Sequence, residues 1–318
     1  MRGIKKCFAA LLIVASAHAV AQTYPDKPIR VLVPFAAGSG TDILARIVTD
    51  ELRASMGANF VIDNRGGASG QIASELVARA NPDGYTLLLS TNTPHSVNPF
   101  LFKKINYDPV KDFDAVARMI YYIFILAVNP NLNVKTVPEL IAYVKANPGK
   151  TSYAYGNGSG QVNGAYLVSA AKLDSLAVPY KSTPPAMTDL IAGQVQWMFV
   201  DGASSQGHVK AGRLRAIAVM SDKRSDIFPD LPGVGETVPG FDTVPWAGMF
   251  APAHTPKAII NKLNAEIVKA INKPAINQRL ADLGLAPGPS TPAELDRFVK
   301  EQLAAWGKKM KDAGIQPE

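Results

Sequence analysis

Two short segments rich in glycine and serine carry the strongest chemical signal in the sequence. They read AAGSGTD at residues 36–42 and GNGSGQVN at residues 156–163, and each lies between a predicted strand and a predicted helix. Glycine lets the backbone come close to a ligand because it has no Cβ, and free N–H groups at a helix N-terminus bind anions. The segments therefore predict that backbone donors hold a carboxylate. A single such loop is more often only a turn with a helix cap, so the prediction depends on the pair.

The two segments do not fit the signatures of nucleotide-binding loops. A dinucleotide loop needs a third glycine, which the first segment lacks and which Gln161 replaces in the second. Residues Gly149-Lys150-Thr151 look like the end of a phosphate-binding loop, but Val144 stands where its first glycine belongs. We therefore expect no nucleotide and no other cofactor.

Catalytic and metal-binding patterns are also missing from the sequence. His95, His208 and His254 are more than forty residues apart, so none of them forms a zinc-binding pair at helical spacing. Ser159 and Ser204 both lie in loops of small residues, but neither has the GxSxG surroundings of a hydrolase nucleophile. We expect no catalytic residue and no metal, and we expect His95 and His254 at the surface or at the edge of a cleft.

Strands and helices alternate along most of the chain. This alternation predicts parallel sheets covered by helices on both faces, and ligands of such sheets bind beyond the carboxyl ends of the strands. Each segment lies near the start of a separate series of alternating strands and helices. We therefore expect two sheets that face each other across a cleft. The predicted strands are 29–35, 60–63, 85–90, 151–155, 177–180, 195–200 and 214–220, and the predicted helices are 42–56, 70–80, 137–146, 161–171, 185–191, 257–271, 275–283 and 292–313.

Residues 1–21 match a cleaved secretory signal peptide. They contain a basic start, a short apolar run and small residues before the predicted cleavage site after Ala21, with Ala19 as the alternative. The apolar run is too short to remain as a membrane-spanning helix. Cleavage removes Cys7, the only cysteine of the sequence, and leaves a chain without disulfides or thiol chemistry. We therefore expect a soluble, exported protein.

Charge and length limit the partners and the number of domains. The formal net charge of +7 falls to +4 once the three cationic residues of the signal peptide are lost, and a mildly cationic surface can attract small anions. No basic run with interleaved aromatic residues is present, so we expect no nucleic acid partner. A mature chain of about three hundred residues is longer than the chain that a single hydrophobic core usually stabilises. The length therefore indicates two domains.

From Tyr24 to Gly314 the chain resembles the solute-binding receptors of tripartite tricarboxylate transporters, also called the Bordetella uptake gene family. The resemblance covers nearly the whole mature chain in the same order. The segments that carry it are YPDKPIRVLVPFAAGSGTDILAR, VIDNRGGASGQIAS, ARANPDGYTLLLST, YDPVKDFDAVA, VPYKSTPPAMTDLIAGQV, AGRLRAIAVMSDKR and LPGVGETVPGFDTVPWAGMFAPAHTP.

The resemblance implies an α/β type II periplasmic-binding-protein fold, in which two lobes close on a central ligand cleft. Two crossing strands near residues 118–122 and 242–246 would join the lobes. Lobe 1 would then comprise residues 22–121 and 246–318, and lobe 2 residues 122–245. The resemblance also implies a monomeric periplasmic receptor that is not an enzyme. It would deliver a di- or tricarboxylate, an aromatic acid or an amino acid to the permease subunits in the membrane.

In this family the ligand carboxylate is held by backbone groups, hydroxyls and bridging waters rather than by an arginine. The corresponding loops here are residues 35–42 and 157–163. Asn163 and Ser182 stand where many members have histidine and glycine, so the identity of the ligand is not inherited from a relative. The residues that we expect to bind the ligand are Phe35, Ala37, Gly38, Ser39, Gly40, Thr41, Asp42, Thr91, Asn92, Asn157, Gly158, Ser159, Gly160, Gln161, Asn163, Tyr180, Ser182 and Asp201.

Several alternatives stay open at the level of the sequence. Asp201 either accepts a hydrogen bond from an ammonium or hydroxyl group of the ligand or only caps the next helix. Phe35 packs either on an apolar ligand or in the core. Arg65 and Lys181 either contact the ligand's charge or lie at the surface beside the cleft. The alternative functions are a periplasmic hydrolase that uses a loop serine and a ligand-sensing accessory of a membrane kinase.

Overall fold

The computed structural model describes residues 24–317. The predicted signal peptide at residues 1–21, with Cys7, lies outside the described residues. The strands are β1 (Ile29–Val33), β2 (Phe60–Asn64), β3 (Thr86–Thr91), β4 (Phe113–Tyr122), β5 (Phe124–Val128), β6 (Ser152–Tyr155), β7 (Leu176–Pro179), β8 (Trp197–Asp201), β9 (Arg215–Val219), β10 (Trp246–Pro252) and β11 (Leu285–Pro287). The helices are α1 (Gly40–Met56), α2 (Gln71–Ala78), α3 (Asn98–Leu101), α4 (Val137–Ala146), α5 (Gly158–Ala170), α6 (Thr183–Ile191), α7 (Gly202–Lys210), α8 (Lys257–Ile271), α9 (Pro274–Asp282) and α10 (Pro292–Asp312).

The predicted helices and strands are present, with ends that shift by at most three residues. In α1, the apolar residues Leu44, Ile47 and Leu52 recur at helical spacing and are buried, because that face of the helix packs on the sheet. The largest shift is in α5, which begins at Gly158 rather than at Gln161. The pattern of strands and helices in the sequence did not indicate β4, β5, β10 or β11, although the resemblance implied a crossing strand near residues 118–122, which lies within β4.

The strands form two sheets, as expected, but the sheets are mixed rather than parallel. One sheet has six strands in the order β11-β4-β10-β3-β1-β2, and the other has five in the order β7-β6-β8-β5-β9. The pairs β1–β2, β1–β3, β6–β7 and β6–β8 are parallel. The expectation of parallel sheets was wrong for β4, β5 and β10, which pair antiparallel with their neighbours. These strands do not belong to strand–helix–strand units, which are the source of parallel pairing.

The chain passes between the two sheets at two places. It leaves the six-stranded sheet at the end of β4 and enters the five-stranded sheet at Phe124, with only Ile123 between the strands. It returns between β9 and β10, so two separate parts of the chain build the six-stranded sheet. Both passages lie beside the predicted lobe boundaries at residues 122 and 245. The boundaries themselves stay a prediction.

His95 lies in the core and not at the surface or the cleft edge, so that expectation was wrong. It belongs to a π-helical turn, Thr93–Val97, and its side chain is fully buried. The imidazole stacks on Phe250 with ring centroids 4.0 Å apart, and Ser90 Oγ lies 2.7 Å from Nδ1. The contact was not visible in the sequence because Phe250, which stacks on this ring, lies far from His95 along the chain. His254 is exposed, as expected.

Candidate functional site

The N-termini of four helices meet at one cavity between the two sheets. Helices α1, α5, α6 and α7 begin just after β1, β6, β7 and β8, so their first N–H groups lack helical partners and carry partial positive charge. The cavity measures about 20 Å³, which is close to the space that a single water needs. Its lining residues are Phe35, Ser39, Gly40, Thr41, Thr91, Asn92, Thr93, Tyr122, Phe124, Asn157, Ser159, Thr183 and Asp201.

Three of the polar residues around the cavity determine where the helices begin. Ser39, Asn157 and Asp201 each accept a hydrogen bond from the backbone N–H three residues later, at 3.3, 2.9 and 2.9 Å. Each is therefore the N-cap of its helix, α1, α5 or α7. The caps therefore place the N-termini of the three helices beside the same cavity.

Hydrogen bonds join the two sides of the cavity. They run from Asn92 Nδ2 to Ser159 Oγ at 2.9 Å, from Gly158 N to Thr93 Oγ1 at 3.1 Å and from Ala36 N to Ser182 Oγ at 3.2 Å. Each bond pairs a residue near the six-stranded sheet with one near the five-stranded sheet. Gly158 is packed so closely that a Cβ at this position would lie 2.9 Å from Val97 Cγ1. This arrangement is a closed conformation of the cleft.

Asp42 holds the first glycine- and serine-rich loop in place. Its Oδ2 accepts from Gly38 N at 3.0 Å, and Arg46 donates to both carboxylate oxygens at 3.0 Å. Burial raises the pKa of Asp42, but the hydrogen bonds from Arg46 and Gly38 outweigh it and hold the pKa below its usual range. Asp42 therefore shapes the loop as a carboxylate and does not reach the cavity.

Asp201 is the charged residue of the lining. Its side chain is 4 % exposed, and a Cβ on Gly40 would overlap its carboxylate. Burial raises the pKa of Asp201, and the hydrogen bonds from Ser204 only partly oppose this effect. Among residues 24–317, no lysine, arginine or histidine lines the cavity. Asp201 thus caps α7, as one of the two alternatives stated, and also faces the cavity.

Half of the residues expected to bind the ligand line the cavity. Ser39 and Ser159, one from each glycine- and serine-rich segment, are both among them, so the two segments do meet. The structure brings together Phe35, Ser39, Gly40, Thr41, Thr91, Asn92, Asn157, Ser159 and Asp201. It places outside the lining Ala37, Gly38, Asp42, Gly158, Gly160, Gln161, Asn163, Tyr180 and Ser182.

The residues outside the lining have other contacts. Asn163 is fully buried and donates to Ser159 O at 3.0 Å, which places it behind the cavity wall. Tyr180 donates to Asp189 of α6 at 2.5 Å. Arg65 pairs with Asp63 at 2.8 Å and is half exposed. Lys181 is exposed as well, so neither cation lines the cavity.

Four lining residues were absent from the expected set. Thr93 and Thr183 directly follow Asn92 and Ser182, which were expected to bind the ligand. Their positions at the ends of a strand and a helix could therefore have indicated them. Tyr122 and Phe124 flank the first passage between the sheets, and in the sequence they look like ordinary core residues. Tyr122 Oη lies 2.9 Å from Thr41 Oγ1, which ties the passage to the start of α1.

Comparison with known proteins now assigns the family. The model of the tripartite tricarboxylate transporter family receptor matches residues 44–315. The chain belongs to this family. This receptor is 36% identical over 316 residues to a UPF0065 protein of Bordetella bronchiseptica, covering 96% of this chain and 92% of the relative. It is 33% identical to protein BugT of Bordetella pertussis over 302 residues, covering 93% of this chain and 92% of the relative.

Solved structures agree with the receptor's fold. The periplasmic binding protein BugD is 34% identical and has a TM-score of 0.88, with 93% of this chain and all of that chain covered. R. palustris Rpa4515, solved with adipate, is 33% identical with a TM-score of 0.90 over 93% and 100% of the two chains. MatC from Rhodopseudomonas palustris, solved with bound malate, is 31% identical with a TM-score of 0.85 over 90% and 100%.

These similarities confirm the two-lobed α/β fold and the assignment as a solute-binding receptor rather than an enzyme. The Ser90–His95 contact does not contradict this, because both side chains are fully buried in the core. Within residues 24–317, no helix is long and apolar enough to cross a membrane.

Proposed function

We propose that this receptor captures a small carboxylate between its lobes and delivers it to the permease subunits of a tripartite tricarboxylate transporter. The observation that carries the proposal is that Ser39 and Ser159 line one cavity from opposite sheets, beside the N-termini of α1 and α5. A carboxylate in this cavity would touch both lobes at once. Its binding would therefore favour the closed form.

The cavity offers enough hydrogen bonding to hold a carboxylate without a cationic side chain. Each helix N-terminus stabilises an anion by roughly 0.3–1 kcal/mol at exposed sites and by more in enclosed ones. Hydrogen bonds to a charged acceptor are about twice as strong as neutral ones, and ordered waters can complete the set. Four helix N-termini directed at one small volume are thus a sufficient anion site.

Relatives support the chemical class of the ligand. Rpa4515 was solved with adipate and MatC with malate, and both proteins share this fold over nearly their full length. We infer a small organic acid as the ligand of this chain, from the group of di- and tricarboxylates, aromatic acids and amino acids. The neutral residues Asn163 and Ser182 near the cavity remain the features that we expect to alter specificity among them.

The proposed lobes are residues 22–121 with 246–318 and residues 122–245. The proposed ligand contacts are the expected residues that line the cavity, together with Thr93, Tyr122, Phe124 and Thr183. Ala36, Gly158 and Ser182 would act in closure, since their hydrogen bonds join the two sides. A cavity of about 20 Å³ has no room for an organic acid, so the lobes must separate to admit one and would close less tightly around it.

We propose that the receptor works as a monomer in the periplasm after removal of residues 1–21. The basic start, the apolar run and the small residues before Ala21 support export through a cleaved signal peptide. The family assignment supports a membrane permease as the partner that receives the ligand. Its two-lobed form supports release of the ligand upon opening at that permease.

The proposal predicts that Gly158→Val abolishes ligand binding while the fold survives. The new side chain would meet Val97 and Thr93 across the cleft and would hold the lobes apart. The measurement is the rise in thermal unfolding temperature caused by a panel of mono-, di- and tricarboxylates, aromatic acids and amino acids. The native protein should show a rise with at least one acid, and Gly158→Val should show none.

Gly207→Val is the matched control for this experiment. Gly207 also lies in a helix that begins at the cavity, but a Cβ there has no neighbour within 4 Å. This variant should respond to the same acids as the native protein. Full ligand-induced stabilisation of Gly158→Val would contradict the proposed site, and a native protein that responds to no acid would contradict the proposed function.

A further inference from the structure

Asp201 combines three properties that a merely structural cap does not need. It follows the buried strand β8, its side chain is 4 % exposed, and it lines the cavity. Ser204 N donates to Oδ1 at 2.9 Å, whereas Oδ2 receives no hydrogen bond from residues 24–317. Oδ2 is not one of the fully buried side-chain atoms that lack a partner, and Asp201 lines the cavity, so this oxygen is accessible from the cavity.

Other polar groups of the cavity are committed to one another. Tyr122 Oη pairs with Thr41 Oγ1 at 2.9 Å, and Asn157 Nδ2 lies 3.3 Å from Thr183 Oγ1. Among the described residues of the lining, none is a cation that could neutralise Asp201. The protein itself therefore leaves an acceptor available at this point of the cavity.

Electrostatics decides which ligand group can lie beside Asp201. A second carboxylate would repel it, and the repulsion is strong where water is excluded. An ammonium or hydroxyl group would instead donate to Oδ2 and favour the ionised form that burial opposes. A methylene group would leave the acceptor unpaired. Ionised Asp201 thus gains only from a hydrogen-bond donor.

The position of Asp201 also limits where the donor lies in the ligand. A Cβ on Gly40 would overlap the Asp201 carboxylate, so the acceptor lies beside the first residue of α1. The proposed carboxylate binds at the same helix N-terminus, next to Ser39. The donor must therefore be attached close to the bound carboxylate, as in an α-amino or α-hydroxy acid.

We propose that Asp201 selects carboxylic acids with an amino or hydroxyl group on the carbon next to the bound carboxylate. This inference rests on the proposed carboxylate-receptor function and makes its ligand class narrower. Unsubstituted acids of the same length would bind the helix N-termini but would leave Asp201 unpaired. Their affinity should be lower by about 10- to 100-fold, the range typical of one hydrogen bond to a charged group.

Calorimetric titration of the native protein with matched acids tests the inference. One set is succinate, malate and aspartate, the second is glutarate, 2-hydroxyglutarate and glutamate, and the third is 3-phenylpropanoate, 3-phenyllactate and phenylalanine, with both enantiomers of each chiral acid. We expect a substituted acid to bind at least about tenfold more tightly than the unsubstituted acid of its set. If unsubstituted acids bind as tightly, the receptor function stands and this inference is wrong. If no acid binds, the receptor function fails with it.

Asp201→Asn supplies a second, independent test. Asparagine can still cap α7 through its side-chain oxygen, but it lacks the charge that favours a cationic or hydroxyl donor. We expect the affinity ratio between substituted and unsubstituted acids to fall to about one. Asp189→Asn is the control, because it removes a carboxylate that pairs with Tyr180 outside the cavity, and its ratio should equal that of the native protein. A native ratio in Asp201→Asn would overturn the inference.

Discussion

At the scale of single residues, burial in the core keeps the side chain of His95 uncharged. Its ring lies among Phe113, Trp246 and Phe250 and is fully buried. Burial lowers the pKa of His95 to about 3, because the surrounding apolar groups cannot stabilise an imidazolium. The folded protein therefore keeps this histidine neutral at every pH near neutrality.

This burial predicts a specific dependence of stability on pH. The unfolded chain protonates His95 below about pH 6.5, whereas the folded protein does so only near pH 3, so acid favours unfolding in this window. Between pH 7 and pH 5, His95 should reduce the free energy of unfolding by about 2 kcal/mol. His95→Gln should lose this part of the pH dependence, as measured by urea unfolding at pH 7, 6 and 5. His254→Gln, at an exposed position, should keep it, and equal slopes for all three proteins would contradict the assignment.

Some residues of the site can be recognised from the sequence, and others cannot. Ser39 and Ser159 could be found because small residues between a strand and a helix have few roles other than turns and anion contacts. Tyr122 and Phe124 could not be found, since an aromatic residue in an apolar strand indicates core packing. Asp42 was expected to bind ligand, and its contacts with Gly38 and Arg46, which hold the loop, are not visible in the sequence.

At the scale of elements, hydrophobic periodicity and helix caps allowed most helices to be predicted. α1 and α10 are amphipathic and begin directly after Ser39 and Thr291, which cap them. The direction of β4, β5 and β10 could not be predicted, because pairing depends on which sheet the chain enters next. The sheets are therefore mixed, although the alternating pattern of the sequence is typical of parallel ones.

Helix α10 contains a buried lysine, Lys309. Its side chain contacts residues on the side of the five-stranded sheet. Lys309 Nζ donates to Gly240 O and lies 3.3 Å from the centroid of the Tyr166 ring. Asp242 Oδ1 is 4.0 Å away. Burial lowers the pKa of Lys309, and the nearby carboxylates oppose this effect. Because α10 packs mainly on β4, this contact joins the two parts that the cleft separates.

Lys309→Met should weaken ligand binding by about tenfold, since a partly desolvated cation over an aromatic ring contributes about this much. The contact would break when the lobes open, so its loss favours the open form and raises the apparent Kd. Calorimetric titration with the ligand from the panel measures the effect. Lys308→Met is the neighbouring control, because Lys308 is exposed and pairs with Asp312. An unchanged Kd in Lys309→Met would show that the contact persists in both forms.

At the scale of the whole molecule, the two passages of the chain control how the lobes can move. Ile123 links β4 to β5 as a single residue, and its N–H donates to Gly284 O at 2.9 Å. One apolar core cluster contains residues from both sheets, among them Leu89 and Leu126. The lobes thus share a continuous base, and motion must concentrate at the far side of the cavity, where hydrogen bonds such as that from Ala36 N to Ser182 Oγ join them.

A disulfide across that far side should lock the cleft. Ala36 N lies 3.2 Å from Ser182 Oγ, so the two positions adjoin across the cleft, and Cys7 in the predicted signal peptide is the only native cysteine. In Ala36→Cys with Ser182→Cys, oxidation should abolish binding of added ligand because the closed cavity cannot admit it. Reduction should restore binding, and ligand added before oxidation should slow formation of the disulfide, because the bound acid keeps the two positions further apart. Each single-cysteine variant should bind ligand under both conditions. Normal titration of a fully oxidised double variant would mean that ligand enters without separation of the lobes.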